Sequence, residues 1–297
     1  MSVTISLSPA IPKKRAGLDV WMERVLEKAA KIEPEWHADE VHDLRVALRR
    51  CRTMAEALSE VSATSGWRKL KKGSRDVFHA LGQLRDTQVQ REWVKKLGSA
   101  GDAARRHLLH LLAADEKKER QAAAKALDAF DRKEWKKLTR KLPAKANFFP
   151  SGSVVFQRLA LAKLNEAVEL YQQARKRRSA VAWHRLRIGL KEFRYIVENF
   201  LPERYEVWAA DLKAMQDQLG DVHDLDVLRA RLRKQAPNLN AAVLAKWLEK
   251  IAEQRKARLD EFLAKASGPE SPWLVWRAGF QWGHALVAAS FPQRRTA

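Results

Sequence analysis

The residues from His42 to Arg52 read His-Asp-Leu-Arg-Val-Ala-Leu-Arg-Arg-Cys-Arg, and those from His184 to Arg194 read His-Arg-Leu-Arg-Ile-Gly-Leu-Lys-Glu-Phe-Arg. The first, third, fourth, seventh and last positions are identical, and Val46/Ile188 and Arg49/Lys191 keep their chemical character. With about 100° of rotation per residue, His42, Arg45, Arg49 and Arg52 fall on one side of a helix. His184, Arg187, Lys191 and Arg194 form the matching stripe. A second pair of segments, Leu81 to Val89 and Leu219 to Val227, recurs at nearly the same separation. Two matches at nearly one offset point to an internal duplication. The expected fold is therefore all-α: two helical bundles related by pseudo-twofold symmetry, with the equivalent stripes able to face each other across the axis.

Apolar residues recur every three or four positions along most of the chain, and alternating β-type runs are nearly absent. Glycine and proline mark the expected boundaries at Pro34, Gly66, Gly98, Gly101, Pro143, Pro150, Gly152, Pro202, Gly220, Pro237 and from Gly268 to Pro272. These divide the chain into a tail (1–15), a first bundle half (16–142), a linker (143–152) and a second half (153–292). The charged, alanine-rich stretch from Gly101 to Lys141 carries no motif and is expected to complete the first bundle. Asp86 and Asp224 follow glycines that resemble helix ends, which predicts N-caps, and Thr87 with Gln90 offers a capping box. Alternatively, the two aspartates orient arginines of the stripes.

Lys and Arg number 57 against 36 Asp and Glu, a formal charge of +21 with a pI near 10.2. Such an excess attracts polyanions: DNA, RNA, anionic lipid or inorganic phosphate chains. The single cysteine, Cys51, excludes an intrachain disulfide or multi-cysteine metal site and fits a reducing, cytoplasmic setting. No signal-type segment and no run of roughly 18 uncharged apolar residues is present, so neither secretion nor a membrane partner is expected. The eleven tryptophans sit mostly at helical spacing among aliphatic residues and are expected to be buried anchors, not a base-stacking platform.

Val41, Leu44, Leu48, Cys51, Ala55 and Leu58 lie on a face rotated away from the first stripe, which leaves its guanidinium groups free to meet a ligand. From residue 42 to residue 52 the helix rises about 15 Å, a length suited to an extended anion. Arginine holds two phosphate oxygens in its planar fork and stays charged at any working pH. A solvated face would carry more Glu partners four residues on; here only Arg52 has one, Glu56. Arg68, Lys72, Arg75 and His79 form a third stripe on the next helix, whose counterparts in the second half are Glu206, Ala210, Lys213 and Asp217. Arg75 and Lys213 keep their charge and are taken as a functional pair. Arg68, Lys72 and His79 fit an additional binding surface and a solvated face equally well. His42 and His184, each opening a stripe, are candidate hydrogen-bond donors to phosphate that gain a proton when the anion arrives.

The segments Val41–Arg52, Leu81–Asp86, His184–Tyr195 and Leu219–Val227, in this order, resemble those of the CHAD family, the conserved histidine α-helical domain. The resemblance runs from about His37 to Phe291. It implies two antiparallel helical bundles and a basic pore or groove that binds long-chain inorganic polyphosphate. By position it assigns binding to His42, Arg45, Arg49, Arg52, Arg75, His184, Arg187, Lys191, Arg194 and Lys213, without catalysis, metal or cofactor, and it suggests association with polyphosphate granules. The alternating glutamates of a triphosphate tunnel domain are not found ahead of the first bundle, as expected of a stand-alone member. Two other readings compete. The tetrapeptide Val-His-Asp-Leu at 41–44 and at 222–225 resembles the His-Asp pair of metal-dependent phosphohydrolases, although adjacent helical residues diverge by about 100° and the arginines would repel a divalent cation. A general nucleic-acid-binding protein fits the charge, but zinc-finger spacing, RNP-type strands and aromatics interleaved with the stripes are missing, so nucleic acid is expected only as a weaker, non-specific ligand.

Overall fold

The amphipathic periodicity is realised as helices throughout the computed structural model, which describes residues 17–32, 36–234 and 239–288, with 281–288 as backbone. Among the described residues there are α1 (Leu18–Lys31), α2 (Ala38–Val61), α3 (Ser65–Gly73), α4 (Arg75–Leu97), α5 (Ala103–Asp128), α6 (Arg132–Ala146), α7 (Val154–Arg177), α8 (Ala180–Phe200), α9 (Pro202–Lys234), α10 (Ala241–Ala266) and α11 (Pro272–Ala288), and no strand. The expected tail 1–15, the boundaries at Pro34 and Pro237, and residues 289–292 lie outside the described residues.

The same order of neighbours occurs in both halves of the chain. α1 packs on α2 and α6, as α7 packs on α8 and α11; α2 meets α4 as α8 meets α9, and α4 meets α5 as α9 meets α10. Where α9 is one continuous helix, its counterpart is split at Ser74 into α3 and α4. Ser74 is buried, and its Oγ donates to the Leu70 carbonyl at 2.8 Å, giving the backbone a substitute partner at the break. The third basic stripe therefore does not lie on one helix: Arg68 and Lys72 stand on α3, Arg75 and His79 on α4.

Several expected boundaries fall inside helices. Pro143 stands within α6, which continues to Ala146; the proline forfeits one backbone bond, and the Asn147 N–H still closes the last turn on the Pro143 carbonyl at 3.0 Å. Gly66 lies in the first turn of α3, and Gly82 and Gly220 are interior to α4 and α9. Consequently Asp86 and Asp224 are mid-helix residues and cap nothing, and Thr87 with Gln90 forms no capping box. N-caps are supplied instead by Asp102, Asp131, Ser179 and Asn240, whose side chains accept backbone N–H groups of the following turn.

The apolar face foreseen for α2 is buried in full, Cys51 included, and burial pushes that thiol well above its ordinary range. Trp67, Trp135, Trp247 and Trp276 are among the most buried side chains, as befits anchors. The core does not divide at the linker. Its larger cluster draws residues from every helix from α1 to α11, and a smaller one is built from α4, α5, α9 and α10 alone. α5, without a motif of its own, thus supports both halves: Asp102 at its N-cap also accepts the indole N–H of Trp247 at 3.1 Å. The outcome is four helices, α2, α4, α9 and α8, each packed on the next and on the first again, with the two stripe helices side by side.

Candidate polyanion-binding cleft

α2 and α8 cannot bury their apolar faces in the core without turning their basic faces toward each other and toward α4 and α9. Their contact is held by Arg50, whose guanidinium donates to Glu198 at 2.5 Å and to Asn199 at 3.2 Å. Glu198 is buried, and although burial works against its charge, Arg50 and then Arg194 hold its carboxyl below the usual range. With that pair as a brace, Arg45 and Arg49 of α2 come within electrostatic reach of Arg187 and Lys191 of α8.

Each cation meets a different environment. Arg45 lies over the Phe78 ring at 4.6 Å and donates one N–H to the Phe78 carbonyl at 3.0 Å. Gly82 makes this approach possible, because a Cβ there would come within 2.8 Å of Arg45 Nη1. The glycine of the Leu-Gly signature thus serves a close side-chain approach and not a helix end. Arg49 stacks over Tyr195, 5.4 Å from the ring centre. The Nε atoms of Arg49 and Arg187 and the Tyr195 hydroxyl are buried without a hydrogen-bond partner, and no carboxylate lies within ion-pair distance of Arg49, Arg187 or Lys191 among the described residues. Burial, followed by Arg187, Arg49 and Arg45, drives the Lys191 ammonium down to about 7 against the opposing pull of Asp86 and the nearby Asp224.

The two aspartates stand near the stripe cations and, among the described residues, form no hydrogen bond or ion pair with them. Asp86 on α4 interacts with Arg45, Arg187 and Lys191, and burial raises its carboxyl despite them. Asp224 on α9 is pushed up to about 7 by burial and by repulsion from Asp86 and Asp221, opposed by Arg187. Two carboxylates therefore answer a larger group of cations, and one of them is poised to be protonated near neutrality.

The other candidates sit around this centre. His42 is exposed near Arg85 and Arg49; burial first, then Arg85, lowers its pKa. His184 Nδ1 lies 3.1 Å from His223 Nδ1, and the pair resists protonation, His223 down to about 4 through burial and Arg187. Arg194 donates to Gln216 at 2.7 Å and reaches Glu198 at 3.6 Å. Arg52 binds the Lys71 carbonyl and, at 3.1 Å, Ser74 Oγ, so its guanidinium braces the α3–α4 break. Arg75, beside Arg52, is exposed and paired with Asp76, while Lys213 is exposed and paired with Asp217 a turn away. Arg68, Lys72 and His79 are exposed and enter no hydrogen bond or ion pair among the described residues. Tyr195 and His223 were visible in the sequence as neighbours of motif residues, but only packing gives them a place here. Arg85 likewise lies within the Leu81–Asp86 segment and gains its place beside His42 only through packing.

A cleft of about 320 Å³ lies beside this array between α2, α7 and α8; Arg49, Lys191 and Tyr195 line it with Arg52, Lys71 and Lys163 and with the carboxylates of Glu56, Glu60 and Glu192, while Arg45 and Arg187 do not line it. Among the described residues no group of three His, Cys, Asp or Glu side chains is placed to hold a metal ion, and no helix is long and apolar enough to cross a membrane.

No curated protein matches the chain. Among solved structures it is similar to the crystal structure of the CHAD domain from the plant Ricinus communis, with a TM-score of 0.55 at 20% identity, over 93% of this chain and 97% of that one. That likeness concerns the fold alone. The family model of the CHAD domain matches residues 21–233, a span that includes both stripe helices and both aspartate-bearing helices. The chain belongs to the CHAD domain family.

Proposed function

We propose that the cationic array of the stripe helices and the cleft beside it bind long-chain inorganic polyphosphate, with Arg45, Arg49, Arg187 and Lys191 at the centre of the array, His42, His184 and Arg194 beside them, and Arg52, Arg75 and Lys213 around them. One observation carries this reading: cations from two duplicated helices converge in a recess with more positive charge than Asp86 and Asp224 can balance, and with buried N–H donors that have no partner. Burying such groups unpaired is unfavourable, and an anion that supplies many oxygens in a row relieves it. A phosphate chain without bases needs only ordered cations, so nucleic acid is read as the weaker, non-specific ligand. The protein acts as a binder and leaves the chain intact, and its association with polyphosphate granules follows from that binding.

The test is competition between long-chain polyphosphate and duplex DNA at equal phosphate concentration, followed by titration at increasing salt. Polyphosphate should win. Neutralising about four phosphates predicts a loss of roughly 50-fold in affinity between about 50 mM and about 200 mM salt. Equal affinity for DNA, or a flat salt response, overturns the reading; release of orthophosphate on long incubation with magnesium would restore an enzymatic one.

A further inference from the structure

Three lysines line the cleft, and they are held in different states. Lys71 is paired with Glu56, and Lys163 donates to Glu192 at 2.8 Å and to Glu166 at 3.0 Å. Among the described residues Lys191 has neither kind of partner. Facing it are His184 and Arg187 of its own helix, Arg45 and Arg49 of α2, His223 of α9, and the carboxylates of Asp86 on α4 and Asp224 on α9 as counter-charges. Burial and these cations bring its ammonium to about 7, so close to half of it is free amine at neutral pH, whereas the two glutamates raise Lys163 in spite of burial.

A recessed free amine beside guanidinium groups with unused N–H donors combines a nucleophile with a phosphate clamp. From this juxtaposition we propose that Lys191 is a site of acylation by small acyl phosphates. The inference rests on the phosphate-binding reading of the cleft. In the reaction, Arg49, which lines the cleft together with Lys191, holds the donor's phosphate while the Lys191 Nζ lone pair attacks the acyl carbon. The new C–N bond forms as the C–O bond to phosphorus-bound oxygen breaks, and that oxygen keeps the electron pair. The proton lost by nitrogen passes to the leaving group, which departs as hydrogen phosphate. The product is a neutral amide that removes one cation from the centre of the cleft.

The experiment treats the full chain with acetyl phosphate at neutral pH and follows each lysine by peptide mass spectrometry. The reference is Lys137, whose side chain is 69% exposed. At neutral pH Lys191 has on the order of 1,000 times more free amine than an ordinary lysine, partly offset by its lower basicity, so it should react at least ~10-fold faster than Lys137. Inorganic phosphate should suppress the Lys191 rate alone, and an acetylating ester without phosphate should lose most of the preference. Reaction of Lys191 no faster than Lys137, or a preference that survives both controls, overturns the proposal. Direct titration of untreated protein with polyphosphate reads the proposed function separately. Absence of binding there, with fast and phosphate-sensitive acetylation of Lys191, would refute the polyphosphate reading and uphold this one.

Discussion

Replacing Lys191 by methionine, which keeps the shape of the side chain and removes its charge, should make the protein more stable and less able to bind. Burial and its cationic neighbours drive the folded-state ammonium from its ordinary 10.5 down to about 7. At about 1.4 kcal/mol per pKa unit, holding it charged in the fold costs up to about 5 kcal/mol. Relaxation of the site and residual water reduce this to roughly 2 kcal/mol, or several degrees in melting temperature for a chain of this length. The sign follows from proton counting. Below pH 7 both folded and unfolded states carry the charge and the penalty is complete; between 7 and 10.5 the unfolded state binds more protons, and the penalty shrinks as pH rises. Above 10.5 it is absent. Thermal melts of wild type and Lys191→Met from pH 6 to pH 10.5 should therefore show a gain that is largest at the acidic end and fades toward the alkaline one, together with a smaller stabilisation of the variant by added polyphosphate. A variant no more stable than wild type at pH 6, or a gain that does not change with pH, refutes the picture of an unbalanced buried cation.

Arg45→Ala and Arg187→Ala should both weaken polyphosphate binding, but only the first should also cost stability, about 1–3 kcal/mol, because only Arg45 is packed on Phe78 and bonded to its carbonyl; equal losses in urea melts would contradict this division. Gly82→Ala places a methyl group 2.8 Å from Arg45 Nη1 and should lower affinity by displacing the guanidinium even though alanine favours the helix by about 1 kcal/mol, and unchanged binding would show that Arg45 does not need its present position. Binding should take up protons, since a polyanion raises Asp224 and Lys191 from about 7 and lifts His42 and His184 from their lowered values, so affinity should increase as pH falls through neutrality. Calorimetry in buffers of different ionisation enthalpy should find less uptake in Asp224→Asn and in the His42→Gln, His184→Gln double variant; identical uptake in all three proteins would make these groups structural. Glu198→Ala leaves Arg50 and Arg194 buried beside an empty position and should destabilise by about 3–5 kcal/mol at neutral pH, less in acid as the wild-type carboxylate is protonated, which acid and urea denaturation together can measure.

What the sequence determined by itself is local and periodic. The spacing of Val41, Leu44, Leu48 and Cys51 sets which face of α2 is buried, and the recurrence of His, Leu, Arg, Leu and Arg from His184 onward marks α8 as its equivalent. Those properties depend only on the 3.6-residue turn and on burial of apolar surface, so the all-α class and the central cations Arg45, Arg49, Arg187 and Lys191 were legible. Helix interiors and ends were less so. Gly82, Gly220 and Pro143 carry the residue types of boundaries, yet packing across a helix pair holds them within helices, since a glycine's weak preference is outweighed once its missing side chain admits a neighbour such as Arg45. Electrostatic state was beyond the sequence altogether. Whether a cation is paired depends on which carboxylate stands beside it in space: Arg52 is absorbed by the break at Ser74, Lys163 by two glutamates, and Lys191 by none. The one-dimensional pattern could place positive charge on a face, but only the tertiary arrangement of α2, α4, α8 and α9 decided which of those charges remain unbalanced, because charge interaction and desolvation are set by distance and burial and not by order along the chain.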